Sequence, residues 1–296
     1  MRLNAITIGD AIPRADFDAA VHSVFRSAVN IRLANNNLLT LVASSEADLP
    51  QGMRVDTPGD FSFENGTLRV GDLATCREGL LRLGSLTIDL RGARRWTCDL
   101  PALRADPSNP SVATAWRIVW DALNTRQAEL HADIIARDLL RSDSTFRAGA
   151  AMRGLLDATR QFDLASPAPV HALIGLGAGL TPSGDDLLVG YLAGLWCAVQ
   201  GRGERAAFLS RLGEVVIRLS SQTTDISRAY LYHAARGQVS SRLADLAEAI
   251  CRGENSNRFL AILESALQVG HTSGMDAVTG LLIGLVAWSS QSDSWV

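Results

Sequence analysis

Residues 183–195 read SGDDLLVGYLAGL, and residues 273–285 read SGMDAVTGLLIGL. At a constant offset of 90, seven positions agree: Ser183/Ser273, Gly184/Gly274, Asp186/Asp276, Gly190/Gly280, Leu192/Leu282, Gly194/Gly284 and Leu195/Leu285. A threonine stands ahead of each copy, Thr181 and Thr272, with Pro182 intervening in the first. Ser-x-x-Asp before an apolar run has the form of a capping box, in which serine accepts an amide of the first turn and aspartate reaches back. Gly-x-x-x-Gly removes side chains from one helix face, so a second backbone can come close. The pattern predicts two related helices packed on one another about a local twofold axis, with neighbouring N-termini. Caps and packing alone would account for the glycines, whereas the Ser/Asp pairs stay open between a structural and a chemical role.

The first copy carries more than a cap needs. Residues 175–186 read GLGAGLTPSGDD, with four glycines, two hydroxyls and two adjacent carboxylates. Such a loop turns several N–H groups to one side, and the following helix adds the positive end of its dipole. An anion cradle for phosphate or carboxylate is the expected product, built on Gly177, Gly179, Thr181, Ser183 and Gly184. Asp185 and Asp186 would repel a bare anion. A bridging Mg²⁺ on that pair is one solution, and a cap plus an orienting carboxylate is the other. Two familiar phosphate motifs fail here. Gly179 and Gly184 have P-loop spacing, but Asp185 and Asp186 occupy the Lys and Ser/Thr positions. The dinucleotide fingerprint breaks at Leu180.

Between the copies lies TTDISRAYLYHAARG, residues 223–237. Thr224 precedes a helix whose first turn holds Asp225 and Arg228. An arginine there opposes the helix dipole, so an anion partner or a salt bridge to Asp225 is expected. His271 adjoins the second copy in GHTSGMD, together with Thr272, Ser273 and Gly274, and is the better candidate than His233 or His22 for moving protons. The candidate catalytic groups are Asp185, Asp186, His271 and Asp276. The candidate anion-binding groups are the loop residues with Thr224, Arg228, Thr272, Ser273 and Gly274. No cofactor is certain from the sequence; Mg²⁺ on Asp185 and Asp186 is the one considered.

Working outward, the flanking chain splits into two kinds of pattern. Short β-type runs at 5–8, 29–33, 38–43, 67–70 and 85–90 are punctuated by turn residues, Asn65-Gly66 being a hairpin signal. A helix is expected at 17–27. Pro101, Pro107 and Pro110 mark a linker. Beyond it the period becomes helical, at 111–123, 127–140, 146–159, 185–199, 204–219, 226–236, 241–251, 257–269 and 275–288. The chain is therefore expected to be α+β: a β-rich domain at 1–105, mostly antiparallel or a partial barrel, and a helical domain at 106–296 carrying the anion site.

Composition narrows the chemistry. A net charge of −3 offers no basic field for nucleic acid or an anionic membrane. All 28 basic residues are arginine, which excludes Schiff-base chemistry and a P-loop lysine. The four cysteines, Cys76, Cys98, Cys197 and Cys251, form no C-x-x-C pair, and the five histidines show no zinc spacing. No signal peptide or run long enough for a membrane span is read, so a cytoplasmic location is expected.

GLGAGLTPSGDDLLVG, TTDISRAYLYHAARG and GHTSGMDAVTGLLIGL together resemble the AllH-like proteins, and VHSVFRSAVNI (residues 21–31) is similar to that family's N-terminal block. The resemblance implies one component of a multi-subunit oxamate carbamoyltransferase of allantoin catabolism, exchanging carbamoyl between oxalurate and phosphate to give oxamate and carbamoyl phosphate. It carries over no catalytic residues. Expected partners are therefore a small anion (phosphate, carbamoyl phosphate or an oxamate-like molecule) and further subunits or copies of this chain. A non-catalytic assembly subunit and a stand-alone metal-dependent hydrolase or carboxylase-like enzyme are the competing readings.

Overall fold

The computed structural model describes residues 1–132, 134–141 and 147–289. The chain divides into two compact units, Met1–Cys98 and Asp99–Val296, and the architecture is α+β.

The first unit is a barrel. Its strands are β1 (Arg2–Gly9), β2 (Phe17–Val24), β3 (Ala28–Leu33), β4 (Leu38–Val42), β5 (Gly52–Val55), β6 (Leu73–Arg77), β7 (Leu80–Leu83), β8 (Leu86–Asp89) and β9 (Arg94–Trp96). They follow the order β5-β4-β3-β2-β6-β7-β8-β1-β9, and β5 pairs back onto β1. One edge of β1 meets β5 antiparallel, while its other edge meets β8 and then β9 in parallel. Eight strands thus close on themselves and no long open edge is left among them. Val29, Ile31, Leu41, Met53, Leu81, Leu83 and Ile88 fill the interior.

The segment expected to be helical at 17–27 is β2. Phe17, Ala19 and Val21 alternate inward, and the strand pairs with β3 on one side and β6 on the other. Alanine content favours a helix, but two ladders and a buried face outweigh that weak preference. Residues 67–70 form no strand; Asn65 instead holds an Asx turn, accepting from the Thr67 amide at 3.1 Å. Two-residue hairpins fall at Glu78-Gly79, between β6 and β7, and at Gly84-Ser85, between β7 and β8. Glu78 and Gly79 both have positive φ, 49° and 74°, as a type I′ turn requires.

The second unit is helical: α1 (Pro110–Glu129), α2 (Ala136–Leu139), α3 (Arg147–Gln161), α4 (Ala168–Leu173), α5 (Ser183–Ala198), α6 (Gly203–Leu219), α7 (Asp225–Ala234), α8 (Ser241–Cys251), α9 (Asn257–Leu267) and α10 (Ser273–Val286). The expected helices at 111–123 and 127–140 are resolved differently, as one long α1 and the short α2. Gln127, fully buried, accepts the Ala136 amide at 2.8 Å and so fastens the turn that separates them. Asp133 and Phe146, which fall in expected helices, lie outside the described residues. The proline-marked stretch is packed rather than loose. The Ala105 amide donates to Cys197 at 3.0 Å, and Gln200 donates to the Ala105 carbonyl at 2.5 Å. None of the four cysteines is in a disulfide. Among the described residues no helix is long and apolar enough to cross a membrane.

Candidate functional site

The two copies of the repeated sequence are α5 and α10, and they cross with their backbones in contact. A Cβ added at Gly190 would meet the Ala277 carbonyl, and one added at Gly280 would meet the Leu187 carbonyl. Likewise Gly194 faces Leu281, and Gly284 faces Tyr191. Each approach lies inside 3.0 Å, closer than real Cβ atoms come. The pairs interchange under the offset of 90, since 190 and 280 face 277 and 187. A local twofold axis therefore relates the helices, and the four glycines are explained by packing.

The repeat begins before the helices. Gly175 and Gly270 both have positive φ, 70° and 60°. Gly184 packs on the Leu173 carbonyl at the end of α4, as Gly274 packs on Ala266 near the end of α9. Each copy is thus a helix, a glycine turn and a second helix, with a longer turn in the first.

The capping-box reading is corrected by the backbone. Pro182 and Thr272 hold the N-cap positions, and neither offers a side-chain cap. Ser183 and Ser273 are the first helical residues, and Asp186 and Asp276 the fourth. Chain carbonyls satisfy the first turn of α5 instead: the Gly184 amide donates to Leu176 at 2.8 Å and the Asp185 amide to Pro182 at 2.9 Å. The serine and aspartate side chains are released for other partners.

They meet across the twofold axis. Thr181 Oγ1 and Ser273 Oγ lie 2.7 Å apart. Asp186 sits beneath them with only 9% of its surface exposed, and its Oδ2 is buried with no hydrogen-bond partner. Burial pushes the Asp186 carboxyl up to about 8; the Ser273 and Thr181 hydroxyls oppose this, and the neighbouring Asp276 and Asp185 charges reinforce it. Asp276 is itself 1% exposed. Two carboxyls sharing one dry site cannot both ionise cheaply, so Asp186 is predominantly a neutral acid at pH 7.

Asp185 has a different task. Its Oδ1 accepts the Gly175 amide at 2.8 Å, and its Oδ2 accepts the Thr223 hydroxyl. Thr224 caps α7 through the Ser227 amide at 3.1 Å and donates its hydroxyl to the Leu180 carbonyl at 2.6 Å. The glycine loop is thereby tied at both ends to the start of α7. With both oxygens of Asp185 engaged by donors, Asp185 and Asp186 do not form a ready Mg²⁺ pair. No group of three or more His, Cys, Asp or Glu among the described residues could hold a metal.

The loop itself faces outward. Gly177, Ala178, Gly179 and Leu180 are exposed, and their amides donate to no acceptor among the described residues. Gly177 and Gly179 have φ of 117° and 94°, a conformation that L side chains rarely adopt. Arg228 is half-exposed in the first turn of α7, with Asp225 at 3.9 Å, and His271 is exposed ahead of α10. Neither hydrogen-bonds to the Thr181–Ser273 pair. The structure thus gathers Gly177, Gly179, Thr181, Ser183, Gly184, Asp185, Asp186, Thr224, Thr272, Ser273, Gly274 and Asp276 around two converging helix starts, with Arg228 and His271 at its edge. Thr223 as the hydroxyl partner of Asp185 was not foreseen; its place beside the Thr224 cap was the available signal.

The model of the AllH family N-terminal domain matches residues 4–95, and the model described as oxamate carbamoyltransferase subunit AllH matches residues 173–285. The chain belongs to the AllH family. The first AllH match covers the barrel strands. The second spans the glycine loop, α7 and both repeated helices, so the whole gathered site falls inside it. No solved structure matches the chain.

Proposed function

We propose that this chain is the AllH-type subunit of a cytoplasmic carbamoyl-transfer enzyme, and that its converging helix starts hold phosphate or the phosphate end of carbamoyl phosphate. The observation that carries the reading is Asp186, a buried acid with an unpartnered oxygen, set beneath the Thr181–Ser273 hydroxyl pair at the foot of a loop with open amides. Loop N–H groups and the α5 dipole attract an anion. A neutral Asp186 removes the repulsion that two carboxylates would otherwise impose, so no cation is needed to bridge them.

In the transfer, a phosphate oxygen attacks the carbamoyl carbon of an N-carbamoyl amide. The C–N bond breaks, the new C–O bond forms, and the departing nitrogen takes up a proton. Open amides of Gly177–Leu180 stabilise the charge on the carbonyl oxygen. Asp186 is the proton reservoir, acting through the Ser273 and Thr181 hydroxyls, with Asp276 sharing its load. Asp185 is a positioning residue that fixes the loop. Arg228 and His271 supply charge and proton exchange at the rim, and partner subunits complete the enclosure.

Thermal unfolding with added phosphate or carbamoyl phosphate tests this. Ligand at about 100 times its Kd adds roughly 2.7 kcal/mol to the stability of a binding protein. Both anions are expected to raise the Tm of the wild-type chain, and Ser273→Ala to abolish most of the increment. An unchanged Tm in both anions at tens of millimolar would rule the site out.

A further inference from the structure

Beside the glycine loop lies a cavity of about 350 Å³. Asp138 and Leu139 of α2, with Ile135 just ahead of it, form one wall, Arg147 at the start of α3 a second, and Gly177 with Ser183 a third. Its size is at the low end of small-molecule sites, roughly 300–1,000 Å³. The lining is mostly apolar; its charged groups are the Arg147 guanidinium and the Asp138 carboxylate. These opposite charges face one cavity, yet no ion pair joins them among the described residues.

A cation and an anion held apart over apolar walls suit a ligand with a carboxylate at one end and N–H donors at the other. A guanidinium binds a carboxylate through two parallel hydrogen bonds, and a carboxylate accepts only N–H or O–H. Gly177 and Ser183 belong at once to this cavity and to the anion-binding loop. A ligand here therefore lies next to an anion there, as two partners of a group transfer must.

We propose that Arg147 and Asp138 are the specificity residues for the N-carbamoyl amide that gives up its carbamoyl group and for the amide that departs. Arg147 takes the carboxylate, and Asp138 accepts the N–H, of a small amide- or ureido-carboxylate of the oxamate type. The assignment rests on the carbamoyl-transfer reading above. It places recognition of that amide on Asp138 and Arg147, which lie outside both regions matched by the family models.

Isothermal titration of the chain with oxamate, acetate and phosphate decides it. The wild type is expected to bind oxamate more tightly than acetate. Arg147→Gln should weaken oxamate and acetate by roughly tenfold to a hundredfold, the worth of one charge-assisted contact, and leave phosphate unchanged. Asp138→Asn should weaken oxamate about tenfold and spare acetate. Arg147 is exposed at a helix start, so the variant keeps its fold, which circular dichroism verifies. Wild-type oxamate affinity in Arg147→Gln, equal binding of acetate and oxamate, or no oxamate binding by the wild type overturns the proposal. Arg147-dependent oxamate binding without any phosphate binding would instead sink the loop reading and leave this one standing.

Discussion

Thr181 and Ser273, 92 residues apart in the chain, meet hydroxyl to hydroxyl at 2.7 Å above the buried Asp186. That contact exists because four glycines let α5 and α10 cross at backbone distance, which draws the two helix starts together. Site and packing are one construction, and perturbing the crossing should perturb both.

Gly190→Ala and Gly280→Ala are twofold equivalents and should behave alike. Each puts a methyl onto a carbonyl of the other helix, so a loss of about 3 kcal/mol or more is expected. For a unit of this size that lowers the Tm by roughly 6–12 °C. Gly203, at the start of α6 with open space around it, is the control: Gly203→Ala should be neutral or slightly stabilising. Differential scanning calorimetry of the three variants makes the comparison.

Asp186 ties stability to pH. Its folded carboxyl titrates near 8, well above the ordinary 3.8, so between those values the folded state holds a proton that the unfolded state has released. Stability contributed by this group is complete below pH about 4, falls as pH rises toward 8, and levels off above, with a limiting slope near 1.4 kcal/mol per unit. Asp186→Asn should flatten that fall and gain on the wild type as pH increases. His233, whose pKa burial lowers, works in the opposite sense at the acid end and is unaffected by the substitution. Urea denaturation from pH 4 to 9 provides the readout; parallel curves for both proteins would refute the buried-proton account.

Asp185→Ala leaves the Gly175 amide and the Thr223 hydroxyl without their acceptor. A local loss of about 1–3 kcal/mol is expected. It should show as faster hydrogen exchange across residues 175–184 and the start of α7, with little change in the barrel. Thr223→Val should reproduce part of the effect.

The loop glycines separate conformational from steric cost. Gly179 has positive φ and open surroundings, so Gly179→Ala should cost about 1 kcal/mol through backbone strain alone. Gly177 has positive φ and also faces the Ser183 amide at 2.9 Å, so Gly177→Ala should cost more and should weaken phosphate binding further. Phosphate titrations of the two variants rank them.

Much of this was legible in the chain itself. Identical residues 90 apart predicted two smooth-faced helices with adjacent starts, because glycine spacing is a local property that acts wherever its partner is found. The split into a β-rich and a helical half followed from the change in apolar period. What the sequence determined, then, was most of the helices in the helical half and which two belong together. Tertiary structure decided the rest. Residues 17–24 became a strand because neighbours on both sides paired with them, and no local signal encodes those neighbours. The Ser183 side chain was taken from capping by the carbonyls of Leu176 and Pro182, and the Ser273 side chain by those of Val269 and Thr272. Asp185 became a fastener and Asp186 a neutral acid, although both are aspartates in adjacent positions. Burial and hydrogen-bond donors set that difference, and both arise only when distant segments close around the pair.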